Sequence, residues 1–66
     1  MKTFEKEAVA NEFGRFVREA RERRGMTQYE IAEQLGITRS YYTMIEAGNR
    51  DIYFSLAMNI CKVLNL

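Results

Sequence analysis

The side chains with recognisable chemistry in this chain are arginines, which suit the binding of anions. Seven of the ten basic residues are arginines between positions 13 and 50. The planar guanidinium donates hydrogen bonds in pairs, which matches phosphate groups and the edges of bases. The net charge is only +1, and glutamates interleave with the arginines of residues 15–24. An ordinary solvated helix surface therefore explains that cluster equally well.

Catalysis and metal binding have little support in the sequence. The chain has no histidine, the usual general base and metal ligand. Its single cysteine, Cys61, cannot form an internal disulfide or a zinc site, and no glycine-rich phosphate loop is present. We therefore expect no enzyme activity, metal, cofactor or small-molecule ligand, and we interpret Cys61 as a small core residue.

Length and composition predict one small all-α domain over residues 1–66. The chain lacks proline, and its apolar residues recur at spacings of three and four, as helices require. The apolar runs are too short for a membrane span or a signal peptide. A single cysteine fits a soluble protein in the reducing cytoplasm.

Residues 25–46, GMTQYEIAEQLGITRSYYTMIE, predict two short helices joined by a tight turn. Thr27 and Glu30 form a capping box, Gly36 ends the first helix, and Thr38 caps the second. This is the pattern of a helix–turn–helix, in which the second helix is placed to enter a DNA major groove.

Periodicity places the other helices and the core. Helices are expected at about 12–24, 28–35, 39–46 and 54–64. For residues 3–10, either one long helix begins near Thr3 or Asn11 caps a fresh helix after a short leading helix or turn; we favour the second. The expected core is Phe13, Val17, Ala20, Met26, Ile31, Ala32, Leu35, Ile37, Tyr42, Ile45, Phe54, Ala57, Met58, Cys61 and Leu64, with Ile60 at its edge.

The sequence resembles the Cro-type phage repressors, also called the xenobiotic-response-element (XRE) family of bacterial regulators. The resemblance rests on FGRFVREARERRGMTQ, the IAEQLGI core, SYYTMIEAGNR and the closing NICKVLNL helix, which follow at matching spacing over residues 13–66. It implies a compact four- to five-helix, lambda-repressor-like DNA-binding domain. The helix–turn–helix then occupies about 27–46, and residues 1–11 form an N-terminal extension.

The resemblance also implies roles in DNA binding. Base contacts are expected from the recognition helix, namely Arg39, Ser40, Tyr41, Thr43 and Met44. Phosphate contacts are expected from Gln28, Asn49 and Arg50. Arg39 would read guanine through O6 and N7, with a phosphate contact as the alternative, and Tyr41 would point outward. Arg21 and Glu46 would form a partly buried ion pair that holds the recognition helix against the first helix.

The chain departs from the family pattern in two places. Many relatives begin the fourth helix with a proline–serine pair, where this chain has Ile52 and Tyr53, so the helix could begin elsewhere, such as at Asp51. Many relatives also have a fifth helix, which residues 1–66 do not contain. The surface that it would cover is open, filled by residues 3–10, or used for self-association; equally, residues 1–66 could be part of a longer protein.

These observations favour a sequence-specific, DNA-binding transcriptional regulator of bacterial or phage origin. We expect a homodimeric repressor that reads an inverted repeat in double-stranded DNA through the major groove. The alternative is a protein-interaction module, antitoxin-like or coactivator-like, which the low net charge and the tyrosine-rich recognition helix favour. Candidate dimer contacts are Ile60, Leu66, Phe4 and Val9.

Overall fold

Four helices make up the described part of the chain, which confirms the predicted all-α fold. The computed structural model describes residues 6–49 and 52–66, and the side chains of residues 11–49 and 52–66. The helices are α1 (Lys6–Arg23), α2 (Gln28–Leu35), α3 (Arg39–Ala47) and α4 (Phe54–Val63). Helix α1 packs against α3, and α2 packs against both α3 and α4. None of these helices is long and apolar enough to cross a membrane.

Helix α1 is continuous from Lys6, so the expected fresh helix start at Asn11 is wrong. Asn11 lies inside the helix and against Gly48, where an added Cβ would collide with the Asn11 side chain. Asparagine favours caps because its amide competes for backbone groups. Here the packing of α1 against the end of α3 overrides that preference. Thr3 and the neighbouring Phe4 lie outside the described residues.

Gly14 allows α1 to approach the end of α3 closely. A Cβ added to Gly14 would lie 2.5 Å from the carbonyl oxygens of both Ile45 and Glu46. Any larger residue would push the two helices apart. Sequence reasoning did not single out Gly14, although an isolated glycine in a helical pattern is a signal of close packing.

The predicted caps of α2 and α3 are present. The Thr27 hydroxyl accepts from the amide of Glu30 at 3.0 Å, and the Glu30 carboxylate accepts from the amide of Thr27 at 2.8 Å. Thr38 caps α3 by accepting from the Tyr41 amide at 3.1 Å. Gly36 ends α2 with a φ of +72°, where glycine avoids the steric cost of a Cβ. The expected bounds of α2 are confirmed, and α3 extends one residue further.

Most of the expected core is confirmed in the first three helices, but α4 is rotated from its expected orientation. Phe54 and Met58, which we expected in the core, are 78% and 47% exposed. Ile60, expected at the edge and as a dimer contact, is fully buried. The buried stripe of α4 is therefore displaced by roughly a quarter of a turn. Two apolar stripes adjoin on this helix, and its packing against α2 selects one of them.

The buried hydrophobic residues of the described part of the chain form a single cluster. They are Val17, Ala20, Ile31, Ala32, Tyr42, Ile45, Ile60 and Leu64. Four other expected core residues, Phe13, Met26, Leu35 and Ile37, are partly buried and pack against this cluster. Helix α4 begins at Phe54 rather than Asp51, and Tyr53 precedes it without a side-chain cap.

Candidate nucleic-acid interface

Helix α3 turns one face into the core and the other towards solvent. Tyr42 and Ile45 are buried at 0% and 2% exposure. The side chains of Arg39, Ser40, Thr43 and Met44 are exposed. We call these four residues the outer face of α3. They are four of the five residues that the sequence predicted as base contacts.

Tyr41, the fifth of these residues, lies at the margin of the outer face. It is half-buried and packs against the hydrophobic core. The expectation that Tyr41 points outward is therefore wrong in part. Its position follows from the helical repeat of about 3.6 residues per turn, because Tyr41 lies between the buried Ile45 and the exposed Met44 around the helix axis.

A buried ion pair joins α1 to the end of α3. Arg21 Nε donates to Glu46 Oε2 at 2.6 Å, and Arg21 Nη2 donates to Glu46 Oε1 at 3.2 Å. The two side chains are 11% and 4% exposed. Arg21 Nη1 also donates to the carbonyl oxygen of Met26 at 2.8 Å, in the turn before α2. One guanidinium therefore links α1, the start of the helix–turn–helix and the recognition helix.

Hydrogen bonds stabilise the charged forms of both Arg21 and Glu46. Burial alone would raise the pKa of the Glu46 carboxyl, but hydrogen bonds from Arg21 and Gln28, with the nearby Tyr42 hydroxyl, lower the pKa overall. The hydrogen bond to Glu46 raises the pKa of Arg21. Burial, together with the neighbouring carboxylate, raises the pKa of Tyr42. The Tyr42 hydroxyl lies beside the pair without a hydrogen bond of good geometry.

Gln28 connects the ion pair to the outer face of α3. Its Nε2 donates to Glu46 Oε1 at 3.0 Å. Its Oε1 accepts from the Thr43 hydroxyl at 3.3 Å, and the same hydroxyl lies 2.8 Å from the carbonyl oxygen of Arg39. Gln28 is the first residue of α2, and it therefore contacts the recognition helix α3 at two residues, Glu46 and Thr43.

Three more arginines within residues 15–24 have partners in the protein. Arg15 pairs with Glu12 at 3.2 Å, and Arg18 pairs with Glu22 at 3.6 Å, both on the exposed surface. Arg24 donates to the carbonyl oxygen of Leu64 at 3.3 Å and so joins the end of α1 to the end of α4. The interpretation of this cluster as an ordinary helix surface therefore holds for Arg15 and Arg18.

Arg39 and Gln28 line the same open depression between the starts of α2 and α3. Its volume is about 500 Å³, and its lining residues are Arg21, Met26, Thr27, Gln28, Tyr29 and Arg39. The Arg39 guanidinium is exposed and has no hydrogen bond or ion pair among the described residues. Tyr29, which the sequence reasoning did not select, is 62% exposed at this depression. The sequence signal that could have identified Tyr29 is its position directly after Gln28, at the start of α2.

The turn after α3 uses its backbone amides internally. The amide of Gly48 donates to the carbonyl oxygen of Ile45, and the amide of Asn49 donates to that of Met44. These two amides are therefore not available to phosphate, and among the described residues of the turn the exposed Asn49 side chain is a group that can bind there. Arg50, the other phosphate contact expected in this turn, lies outside the described residues.

A family model described as Helix-turn-helix matches residues 17–66 of the chain. The chain belongs to the XRE-type helix-turn-helix family of DNA-binding transcription regulators. The match includes the ion pair and the whole of α2, α3 and α4.

Two curated helix-turn-helix proteins are similar in sequence to this chain. The uncharacterized HTH-type transcriptional regulator YqaE of Bacillus subtilis is 33% identical over 54 residues, which cover 82% of this chain and 47% of the relative. An uncharacterized HTH-type transcriptional regulator of Archaeoglobus fulgidus is 37% identical over 49 residues, covering 74% and 70% of the two chains. The chain thus spans about half the length of the Bacillus relative.

A solved structure of this helix-turn-helix type has the same fold. It is the restriction-modification controller protein C.AhdI from Aeromonas hydrophila, with a TM-score of 0.87 and 27% identity. The superposition covers 96% of this chain and 91% of the controller protein. The likeness therefore extends beyond the helix–turn–helix to nearly all of both chains.

Proposed function

We propose that this helix-turn-helix protein is a sequence-specific regulator that reads operator DNA with the outer face of α3. The observation that carries the proposal is the exposed, unpaired Arg39 on a recognition helix that a buried ion pair holds in place. A guanidinium with free donors can bind O6 and N7 of guanine as a pair. Ser40, Thr43 and Met44 lie beside it for further base contacts.

Gln28, Asn49 and Arg50 are the proposed phosphate contacts that set the register of α3 in the groove. Gln28 Nε2 carries two hydrogens, and its bond to Glu46 uses one of them. The second hydrogen is available to a phosphate at the depression that Arg39 also lines. Such contacts carry no sequence information but supply affinity that falls with rising salt.

We further propose that two copies bind an inverted repeat and repress transcription in the bacterial cytoplasm. A domain of about 60 residues buries only about 60% of its unfolded surface, which favours association with a partner. Half-sites one helical turn, or about 10 base pairs, apart would suit two recognition helices related by a twofold axis. The similar protein from Aeromonas is named a controller of restriction–modification, which fits a regulatory role.

The dimer contacts proposed from the sequence need one revision. Ile60 is fully buried and cannot contact a partner, whereas Leu66 is 53% exposed and stays a candidate. Phe4 and the side chain of Val9 lie outside the described residues. Replacing Leu66 with lysine should shift the sedimentation mass towards the monomer if this residue lies in the interface, and an unchanged mass would exclude it.

Charge reversal at Arg39 tests the base-reading role. We expect Arg39→Glu to abolish the preference for selected operator DNA over scrambled DNA in titrations at fixed salt. Arg18→Glu changes the net charge equally from an exposed position on α1, so it should weaken binding to both DNAs by the same factor. A preserved preference in Arg39→Glu would contradict the proposal. If the preference is lost as expected, a promoter–reporter assay with the selected operator shows whether the protein represses or activates transcription.

A protein-interaction module remains the second candidate function. Arg39 is the only charged residue on the outer face of α3, and Met44 is 44% exposed there. That composition also suits a protein partner. If no DNA sequence is enriched from a random pool and Arg39→Glu leaves partner binding intact, the interaction module replaces the regulator.

A further inference from the structure

The Thr43 hydroxyl lies between two hydrogen-bond acceptors. Its Oγ1 is 2.8 Å from the carbonyl oxygen of Arg39 and 3.3 Å from Gln28 Oε1. A threonine hydroxyl has one hydrogen to donate. Whichever of the two acceptors takes that hydrogen, it stays within the protein.

The buried ion pair explains why the Gln28 amide turns its oxygen, which is a hydrogen-bond acceptor, towards Thr43. Glu46 is an ionised carboxylate paired with Arg21, so it can only accept hydrogen bonds. The Gln28 amide must therefore turn its nitrogen towards Glu46, at 3.0 Å. Its oxygen then faces Thr43. The negative charge on Glu46 thus sets the direction of two hydrogen bonds: Gln28 donates to Glu46 and accepts from Thr43, on the outer face of α3.

We infer that Thr43 reads DNA through its methyl group, by contact with the 5-methyl group of a thymine, and not by hydroxyl donation to a base. Thr43 is exposed on the outer face of α3, and its methyl group takes no part in these hydrogen bonds. An apolar contact with the thymine methyl is one of the direct readout modes of the major groove. The inference rests on the proposed function and names one base preference within it.

The test compares thymine with uracil, which differ only by this methyl group. The probes are the duplex that the wild-type protein selects and a series in which each thymine in turn is replaced by deoxyuridine. For wild-type protein, replacement of the contacted thymine in one half-site should weaken binding about fourfold, the value of one buried methyl group. The discrimination between thymine and uracil, rather than total affinity, is the measured quantity, because a purely structural role would not affect it.

Two conservative variants, each of which removes one group from Cβ, then show which group of Thr43 is responsible for the discrimination. Thr43→Val keeps the methyl group and loses the hydroxyl, so it should still distinguish thymine from uracil at that position. Thr43→Ser keeps the hydroxyl and loses the methyl group, so it should bind the two duplexes equally. Ser55→Ala on α4, an exposed position outside the interface, should discriminate as the wild type does.

The remaining outcomes overturn the inference in separable ways. Discrimination that survives in Thr43→Ser but disappears in Thr43→Val would show that it depends on the Thr43 hydroxyl and not on the Thr43 methyl group. Equal discrimination in all variants, or none in the wild type at any thymine, would show that the Thr43 methyl group contacts no thymine. If the wild-type protein selects no DNA sequence, the proposed function itself fails, and that result appears before any uracil is introduced.

Discussion

The helix–turn–helix and α4 differ in how their residues are held. Both helices of the helix–turn–helix begin at threonine caps, and polar side chains join them to α1 through Arg21, Gln28 and Glu46. Helix α4 begins at Phe54, and Tyr53 before it provides no side-chain cap. The end of α4 is joined to the end of α1 by a hydrogen bond from the Arg24 side chain to the backbone oxygen of Leu64. Helix α4 also leaves Phe54 78% exposed.

The difference shows which helices of this fold are held in one defined orientation. Buried polar groups with several partners define one arrangement, because any displacement leaves a charge or a donor unsatisfied. Apolar contacts allow a helix to rotate about its axis, because a neighbouring apolar stripe can be buried in place of the original one. The recognition helix, whose residues must meet base edges, is held by the first kind of contact. Helix α4, which supports α2, is held largely by the second.

The largest expected effect comes from removing one partner of the buried ion pair. Glu46→Ala leaves the Arg21 guanidinium buried and unpaired, which should reduce the free energy of unfolding by about 3–5 kcal/mol. Chemical unfolding followed by circular dichroism measures this loss. Glu22→Ala breaks the exposed pair with Arg18 and should cost at most about 1 kcal/mol. Similar losses in the two variants would mean that the buried pair does not anchor α3.

Gly14→Ala should give the next largest effect. Alanine is the better helix former by about 1 kcal/mol, so propensity alone predicts a gain in stability. The added Cβ would instead meet the carbonyl oxygens of Ile45 and Glu46, and such overpacking costs about 1–3 kcal/mol. Thermal unfolding gives the sign. Asn59→Ala, at an exposed position of α4, should raise the melting temperature, and a rise in Gly14→Ala as well would contradict the close approach of α1 and α3.

Exchanging caps tests the contrast between α2 and α4 directly. Thr27→Ala should lower the free energy of unfolding by about 1 kcal/mol, and Tyr53→Ser should raise it by a similar amount. Tyr53 is 79% exposed, so its replacement gives up little packing. Tyr29→Ser replaces a similarly exposed tyrosine inside α2 and should bring no gain. If Tyr53→Ser does not stabilise the protein, the missing cap does not limit the stability of α4.

The smallest expected effect is the pH dependence that Glu46 contributes, because burial opposes the hydrogen bonds that lower its pKa. The pKa of Glu46 in the folded protein lies below its ordinary value of 4.5. The contribution is therefore present in full above about pH 4.5 and is lost as the pH falls through the lower, folded-state pKa.

Comparison with Glu46→Gln isolates this contribution. The stability difference between wild-type protein and Glu46→Gln should narrow as the pH falls below 4.5, as measured by urea unfolding at a series of pH values. Glu30, whose pKa is also lowered, by hydrogen bonds with Thr27, is present in both proteins and cancels. A difference that stays constant down to low pH would contradict an ionised Glu46.

The same contrast explains what the sequence could predict. The caps at Thr27 and Thr38 and the turn at Gly36 act within a few residues, so local patterns were sufficient for α2 and α3. The Arg21–Glu46 pair lies 25 residues apart in sequence and was accessible only through the family resemblance. The orientation of α4 and the continuity of α1 through Asn11 depend on contacts with other helices, which periodicity does not contain. The bonds from Gln28 to Glu46 and Thr43 also required the fold.

Selection from a random pool of duplex DNA tests most directly whether this polar framework holds a recognition helix that reads sequence. The winning duplex is then titrated against scrambled DNA at fixed physiological salt. The account predicts a specificity ratio on the order of 10³ or more, a twofold-symmetric consensus, and loss of that ratio in Arg39→Glu. Weak, salt-sensitive binding without any enriched sequence would contradict it.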